Sequence, residues 1–212
     1  MKSRNLRIAN YVLAVCCVLL TAVLYPFLPG RVPIHWDISG AVSYGPKAQI
    51  FLLCGMSAVF AGLFDLLPRI DPRRKHYEKF GKYYDWFCIL MQLFLLIMTG
   101  VVLVESFRPG TLSVPVVVML CVGLLFLFLG NIMPKVKSNF YIGFRTPWAL
   151  SSEENWRRTH RLGGKCFFVS GVVTLLSCFI PDQTVAFWLV MIALLVSALI
   201  PTVMSYVWYR KG

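Results

Sequence analysis

Six long runs of the sequence contain no Asp, Glu, Lys or Arg, and these runs limit the fold more than any other feature. They cover residues 8–30, 48–64, 86–104, 109–134, 166–181 and 183–209. A helix needs roughly 17–25 apolar residues to cross the hydrocarbon core of a bilayer. Five runs reach that length, whereas the run at 166–181 is shorter. We expect its helix to begin at Leu162 and the Lys165 ammonium to reach the headgroups.

The chain is therefore predicted to be an all-α integral membrane protein. It is 58% hydrophobic and 14% charged, whereas soluble domains are about 45–50% apolar and about 25% charged. No series of alternating ten-residue segments indicates a β-barrel. The first apolar run is too long for a cleaved signal peptide, so we expect it to remain as a span. The prediction is a single membrane domain over 1–212, with a six-helix bundle spanning about 8–28, 48–67, 85–104, 113–133, 162–181 and 185–208.

The basic residues predict the orientation of these spans. Of the 21 Lys and Arg residues, 18 fall in the two tails and in the loops at about 68–83 and 134–165. Cytoplasmic segments carry the Lys and Arg excess, so both termini are expected in the cytoplasm. This distribution also accounts for the net charge of +12, because basic flanks are attracted to anionic lipid. No direct nucleic-acid partner is expected.

The sequence gives little support for an enzyme. The seven cysteines lie in or beside apolar runs without a C-x-x-C pair, and the three histidines are placed in loops on both sides of the predicted membrane. No carboxylate pair, glycine-rich phosphate loop or nucleophile elbow is present. We therefore predict no catalytic site, no metal and no cofactor.

Polar residues inside the predicted spans are candidates for a transport function. Asp65, Gln92 and Asn131 are the ones selected, since polar groups within a membrane are costly and are often functional. The simpler interpretation is hydration near the interface, or pairing with Arg69 or Lys82. A small-molecule or ion transporter using Asp65 and Gln92 is the alternative function, and a structural membrane scaffold is a third.

The outer loop at 29–47 contains more turn signals and aromatic residues than a simple connection between two helices requires. Residues 32–37 are predicted to be extended, with turns at Ser39-Gly40 and Gly45-Pro46. Its aromatic residues fit an interfacial belt as well as a recognition surface. The residues of that recognition surface would be His35, Trp36, Asp37, Gly40 and Lys47.

The inner loop at 134–165 is predicted to turn at Thr146-Pro147 and to start a helix at Ser151, with Glu154 completing a capping box. Glu153 with Arg157 and Glu154 with Arg158 have the i,i+4 spacing of ion pairs. We expect a short cytoplasmic interfacial helix that leads into the fifth span. It could clamp two spans or form a platform for a partner. The inner platform is defined as Arg145, Thr146, Pro147, Trp148, Ser151, Trp156, Thr159, His160 and Arg161.

The residues from Gly130 to Lys165 resemble the signature of the SdpI immunity-protein family. The similar elements are Gly130-Asn131, Met133-Pro134-Lys135, Asn139 to Ser151, Trp156, Thr159-His160-Arg161 and Gly163-Gly164-Lys165. The outer loop, with Pro33-Ile-His-Trp, Gly40 and Lys47, is similar to the domain of unknown function that often precedes this family. Ala149 departs from the pattern, because the family commonly has Thr there.

The resemblance implies a bacterial plasma-membrane protein that protects its producer from a secreted antimicrobial peptide toxin. It also implies a possible second partner, a cytosolic transcriptional repressor that is held at the membrane once toxin is sensed. The expected partners are thus the lipid bilayer, a toxin on the outer face and a repressor on the inner face.

Overall fold

The structure is a computed structural model that describes residues 4–38 and 40–211. Within these residues it contains seven α-helices and one two-stranded sheet. In chain order they are α1 Arg4–Leu24, β1 Arg31–Trp36, β2 Val42–Pro46, α2 Ile50–Ile70, α3 Tyr77–Phe107, α4 Val114–Ile132, α5 Pro147–Ser151, α6 Glu153–Ser177 and α7 Gln183–Lys211.

Five helical segments of the described chain are long and apolar enough to cross a membrane. They are Arg4–Phe27, Lys47–Ile70, Arg74–Phe107, Val114–Lys135 and Gln183–Lys211. Large apolar side chains such as Trp188, Leu195 and Leu199 on α7 are exposed, which suits a surface in contact with lipid rather than water. The prediction of a largely helical, multi-pass membrane protein is confirmed, with a small hairpin added.

Helix α6 differs from the prediction. The expected interfacial helix and fifth span form one helix of 25 residues that ends at Ser177 rather than near Pro181. Its first turns are polar, and the apolar part from Cys166 to Ser177 is only about 18 Å long at about 1.5 Å per residue. It is not among the five apolar segments, so the total of six spans remains a prediction.

The predicted helix start at Ser151 is also wrong. Thr146 caps the short helix α5, its hydroxyl accepting from the Ala149 N–H at 3.0 Å, and Ser151 ends that helix. Ser152 then caps α6 by accepting from the Asn155 N–H at 3.1 Å. A serine at either position can serve as an N-cap, and the separate turn of α5 moves the cap one residue onward.

The described chain packs as two units. Of the described residues, the first unit, called the N-terminal unit, comprises 4–38, 40–66 and 84–118. The second, called the C-terminal unit, comprises 67–83 and 119–211. In the N-terminal unit a buried apolar cluster joins the base of the hairpin to α2 and α3. Its members are Leu28, Val32, Ile50, Val102 and Leu103.

In the C-terminal unit α6 packs closely against both α4 and α7. A Cβ atom built on Gly164 would lie 2.8 Å from the Gly130 carbonyl oxygen, and one built on Gly171 would lie 2.7 Å from the Leu127 nitrogen. Glycine therefore permits backbone contact between α4 and α6, as small residues do in membrane helix pairs. On the α7 side, the Ser170 hydroxyl donates to the Ala193 carbonyl at 2.7 Å.

Candidate functional site

Two residues of the inner platform form a buried aromatic stack at the start of α6. Trp156 is only 2% exposed, and its indole N–H donates to the Val136 carbonyl at 2.9 Å. The His160 ring lies against it with the ring centres 3.9 Å apart and the planes 19° apart. Trp156 and His160 are one helical turn apart and share one face of α6, and the structure covers that face with protein.

Hydrogen bonds fix His160 in its neutral form. Nδ1 lies 2.9 Å from the Trp156 carbonyl oxygen, and Nε2 accepts from the Phe144 N–H at 3.1 Å. Because Nε2 must be unprotonated to accept, the tautomer with hydrogen on Nδ1 is the one that fits. Burial lowers the pKa of His160 from 6.5 to about 4. Gly143, at φ +97°, passes the imidazole so closely that a Cβ would collide with it.

Two polar residues that the predicted site omitted organise the segment before α5. Asn139 accepts from the N–H groups of Tyr141 and Ile142 at 2.9 and 2.7 Å and donates to the Lys137 carbonyl at 2.9 Å. Asp71 accepts from the Phe140 N–H at 3.0 Å, far away in sequence. Asn139 was visible within the family signature, whereas the sequence carried no signal that Asp71 reaches this segment.

Asp71 is almost fully buried and its charge is stabilised by donors. Besides Phe140, the carboxylate accepts from the Arg73 N–H at 2.7 Å and from the Tyr77 hydroxyl at 3.1 Å. Buried carboxylates normally require several such hydrogen bonds. This residue therefore anchors the irregular segment 136–146 against the start of α3 in the C-terminal unit.

A second polar group joins α5, α6 and α7. The Asn155 side-chain amide donates to the carbonyls of Trp148 and Ser205, each at 2.9 Å. The Thr159 hydroxyl donates to Asn155 Oδ1 at 3.2 Å, and the Thr146 hydroxyl lies 2.8 Å from the Ser205 hydroxyl. Thr146 and Thr159 are thus part of helix packing, and Asn155 is a key contact that the predicted site missed.

The remaining members of the inner platform lie at the surface. Arg145, Pro147, Ser151 and Arg161 are exposed, and Trp148 is half-buried with its ring centre 4.9 Å from that of Tyr206. The Ser151 hydroxyl donates to the Trp148 carbonyl at 2.7 Å.

Two arginines of α6 pair with one carboxylate. Glu154 binds Arg158 at 2.8 Å as predicted, while Arg157 pairs with Glu154 at 2.6 Å instead of with Glu153. The hydrogen bond from Arg158, together with the nearby Arg157, lowers the pKa of Glu154. Both pairs are solvent-exposed, so each contributes little to stability.

The outer loop forms a β-hairpin in the N-terminal unit. Strands β1 and β2 are antiparallel, with Trp36 opposite Val42 and an irregularity between Pro33 and His35. The predicted extended stretch is confirmed, but Gly45 and Pro46 lie within β2 rather than in a turn. Ser39 lies outside the described residues, and Gly40 adopts φ +86° as a turn requires.

Some of the predicted recognition residues make contacts that hold the hairpin together, and others are exposed at the surface. Asp37 closes the hairpin by accepting from the Ala41 N–H at 2.9 Å. Lys47 holds the base of the hairpin, with its ammonium 4.7 Å from the centre of the Tyr25 ring. Trp36 is half-buried, whereas His35 and Gly40 are exposed.

The polar residues of the predicted spans bind other groups. Asp65 forms an ion pair with Arg7 at 2.7 Å. Gln92 is fully buried, accepting from the Ser57 hydroxyl at 2.5 Å and donating to the Ser57 carbonyl at 3.0 Å. Asn131 is exposed and donates to the Leu127 carbonyl at 3.1 Å. The contacts of Asp65 and Gln92 tie α2 to α1 and to α3, which is a structural use of both residues.

Within residues 4–38 and 40–211, the His, Cys, Asp and Glu side chains form no group of three or more that could hold a metal ion. The features that stand out are instead a hairpin between the first two apolar helices and a hydrogen-bonded segment that leads into α6. Together with the apolar helices they define a multi-pass membrane protein of α-helical class.

Comparisons with known proteins agree with this class. Residues 135–205 match the SdpI/YfhL protein family, and residues 12–58 match a domain of unknown function, DUF1648. The chain is 27% identical over 204 residues to the immunity protein SdpI of Bacillus subtilis (strain 168), covering 94% of each chain. No solved structure matches. The resemblance to the SdpI immunity-protein family is therefore confirmed, and the inner platform lies within the matched region.

Proposed function

We propose that the chain is an immunity protein of the bacterial plasma membrane, which protects the cell from a secreted antimicrobial peptide toxin without catalysing a reaction. The observation that carries this proposal is the similarity to the immunity protein SdpI over 94% of both chains. An alignment of that length includes the hairpin as well as the inner platform, so the similarity is not limited to one apolar helix.

We further propose that α6 crosses the membrane, giving six spans and two cytoplasmic termini. In support, α6 contacts α4 through Gly164 and Gly171 and contacts α7 through Ser170. A helix packed along two spanning helices shares their depth, so residues 162–177 of α6 would lie in the bilayer. An even number of spans then places the basic tails on one side, as the charge bias favours.

The two loops would have different roles. The exposed face of the hairpin, around His35, would meet the toxin outside the cell. The exposed part of the inner platform, above all Arg145, would meet a cytosolic repressor. Arg145 is suited to that role because its guanidinium is exposed and, among the described residues, its hydrogen bond goes to a carbonyl, that of Phe140 at 2.8 Å, rather than to a carboxylate.

The test is survival of a deletion strain in conditioned medium from its own parent. The wild-type gene should restore survival, and Arg145→Ala should not, while the amount of protein in the membrane stays the same. Arg158→Ala is the matched control, since Arg158 is also an exposed arginine but pairs with Glu154. Normal survival of the deletion strain would contradict self-immunity under those conditions, and equal loss of protein and of protection in Arg145→Ala would make Arg145 structural.

A further inference from the structure

An open cavity of about 560 Å³ lies in the C-terminal unit, between the segment before α6 and the side of α7. Phe140, Phe144 and Arg145 line it from the segment before α6, and Ala198 and Thr202 line it from α7. Ala198 and Thr202 are one helical turn apart on α7, so they form a continuous strip. The cavity is large enough for part of a lipid-sized ligand.

The side of the cavity that the segment before α6 forms is positively charged. Arg145 uses an N–H of its guanidinium to bind the Phe140 carbonyl at 2.8 Å, which leaves further N–H donors in the same plane. A second cation lies near the same phenylalanine, because the Arg73 guanidinium is 5.1 Å from the centre of the Phe140 ring. Asp71 accepts from the Phe140 N–H and offsets one of these charges. Arg145 is thus the cationic residue in the cavity lining, and Arg73 adds positive charge beside Phe140 without lining the cavity.

On the α7 side, the cavity borders the exposed apolar surface of that helix. Ala198 lies on α7, within an apolar segment long enough to cross a bilayer. Its neighbours Leu195 and Leu199 are 55% and 57% exposed. A ligand in the cavity could therefore extend from the arginine along α7 without leaving the apolar surface.

We propose that this cavity binds one anionic phospholipid, with its phosphate on Arg145 and an acyl chain along α7. A free phosphate ion would leave the Ala198 wall uncovered, and an apolar ligand would leave the guanidinium without an anion. A phospholipid suits both the arginine side and the α7 side, since guanidinium groups bind phosphate through two parallel N–H bonds and an acyl chain covers apolar surface. This inference concerns a lipid ligand and does not depend on the role in immunity.

The experiment uses the full chain purified in a neutral detergent and titrated with lipid, with bound lipid counted by native mass spectrometry. Phosphatidylglycerol and phosphatidylcholine with identical acyl chains are compared. The wild-type protein is expected to retain one phosphatidylglycerol in preference to phosphatidylcholine. Arg145→Gln should bind phosphatidylglycerol roughly 10- to 100-fold more weakly, the factor that corresponds to a lost hydrogen bond to a charged group. Arg158→Gln, outside the cavity, should bind as the wild type does.

A second variant and a soluble competitor test the α7 side of the cavity. Ala198→Leu narrows the cavity without changing Arg145 and should also weaken phosphatidylglycerol binding; unchanged binding would overturn the proposal. Equal retention of the two lipids, or equal losses in Arg145→Gln and Arg158→Gln, would show non-specific adsorption instead. Displacement of the lipid by inorganic phosphate or glycerol phosphate at the same concentration would identify a simple phosphate site. Survival in the toxin assay is read separately, so failure here leaves the proposed function untouched.

Discussion

The contact between α4 and α6 leads to a prediction about Gly164. A Cβ on this residue would lie 2.8 Å from the Gly130 carbonyl oxygen and 2.9 Å from the Pro134 ring. Both neighbours are rigid parts of the chain, so Gly164→Ala forces the two helices apart. Overpacking of this kind costs about 1–3 kcal/mol. Alanine also favours helix over glycine by roughly 0.5–1 kcal/mol, so the expected net loss is between about 0 and 2.5 kcal/mol.

The matched control is Gly62→Ala on α2. Among the described residues, no atom beyond its chain neighbours and its own helix backbone lies within 4 Å of a Cβ built at Gly62. This substitution therefore adds helix propensity without a collision. Gly62→Ala should leave the stability unchanged or raise it by up to about 1 kcal/mol. The two variants therefore make the same chemical change with opposite expected signs.

The assay is thermal unfolding of the purified protein in detergent, followed by intrinsic tryptophan fluorescence and by helix content. For a chain of this size, each 1 kcal/mol lowers the midpoint by roughly 2–4 °C, so Gly164→Ala should unfold up to roughly 10 °C below the wild type. If Gly164→Ala unfolded at the same temperature as Gly62→Ala, the backbone contact between α4 and α6 would not exist as described. The proposal that α6 crosses the membrane would then lose its main support.

Two further predictions concern buried polar groups. The pKa of His160 is about 4 in the folded state against 6.5 when unperturbed, so the unfolded chain binds the proton first. The free energy of unfolding should have its full value above about pH 6.5 and fall by about 3 kcal/mol between pH 6.5 and pH 4, as measured by unfolding midpoints. The variant His160→Phe should not show this pH-dependent loss. An equal loss in that variant would refute the assignment to His160. Gln92→Leu should cost about 1 kcal/mol because it leaves the Ser57 hydroxyl without its partner. Adding Ser57→Ala should recover most of that cost, and strict additivity in the double-mutant cycle would exclude the coupling.

The sequence could predict the apolar helices because their signal is local. A run without charges that exceeds the bilayer thickness needs no information from the rest of the chain. The extended stretch of the hairpin was also predictable, since Pro33 restricts the residue before it. Helix α6 was harder to predict because its polar first turns and its apolar end looked like separate elements. The helix continues through Gly163 and Gly164, where Phe144 and Pro134 pack too closely for a side chain. These neighbours are distant in sequence from α6, so its local pattern does not reveal them.

The burial of the inner platform was the least predictable feature. Helical periodicity placed Trp156 and His160 on one face, but it does not tell what covers that face. The cover is the irregular segment around Phe144, held by Asn139 and Asp71. Irregular segments have no periodicity from which such contacts could be read, and the Asp71 contact joins residues 69 positions apart.

This division between buried and exposed residues determines which substitutions can report on function. Trp156 and His160 are each bonded within the protein core, so replacing either removes hydrogen bonds or packing and lowers stability. Loss of protection in such a variant would follow from a smaller amount of folded protein. Arg145 and Arg161 are exposed, and substitutions there should leave the fold intact. The proposed contacts with a repressor and with a phospholipid can therefore be tested through Arg145, whereas the stack of Trp156 and His160 reports only that the segment has folded.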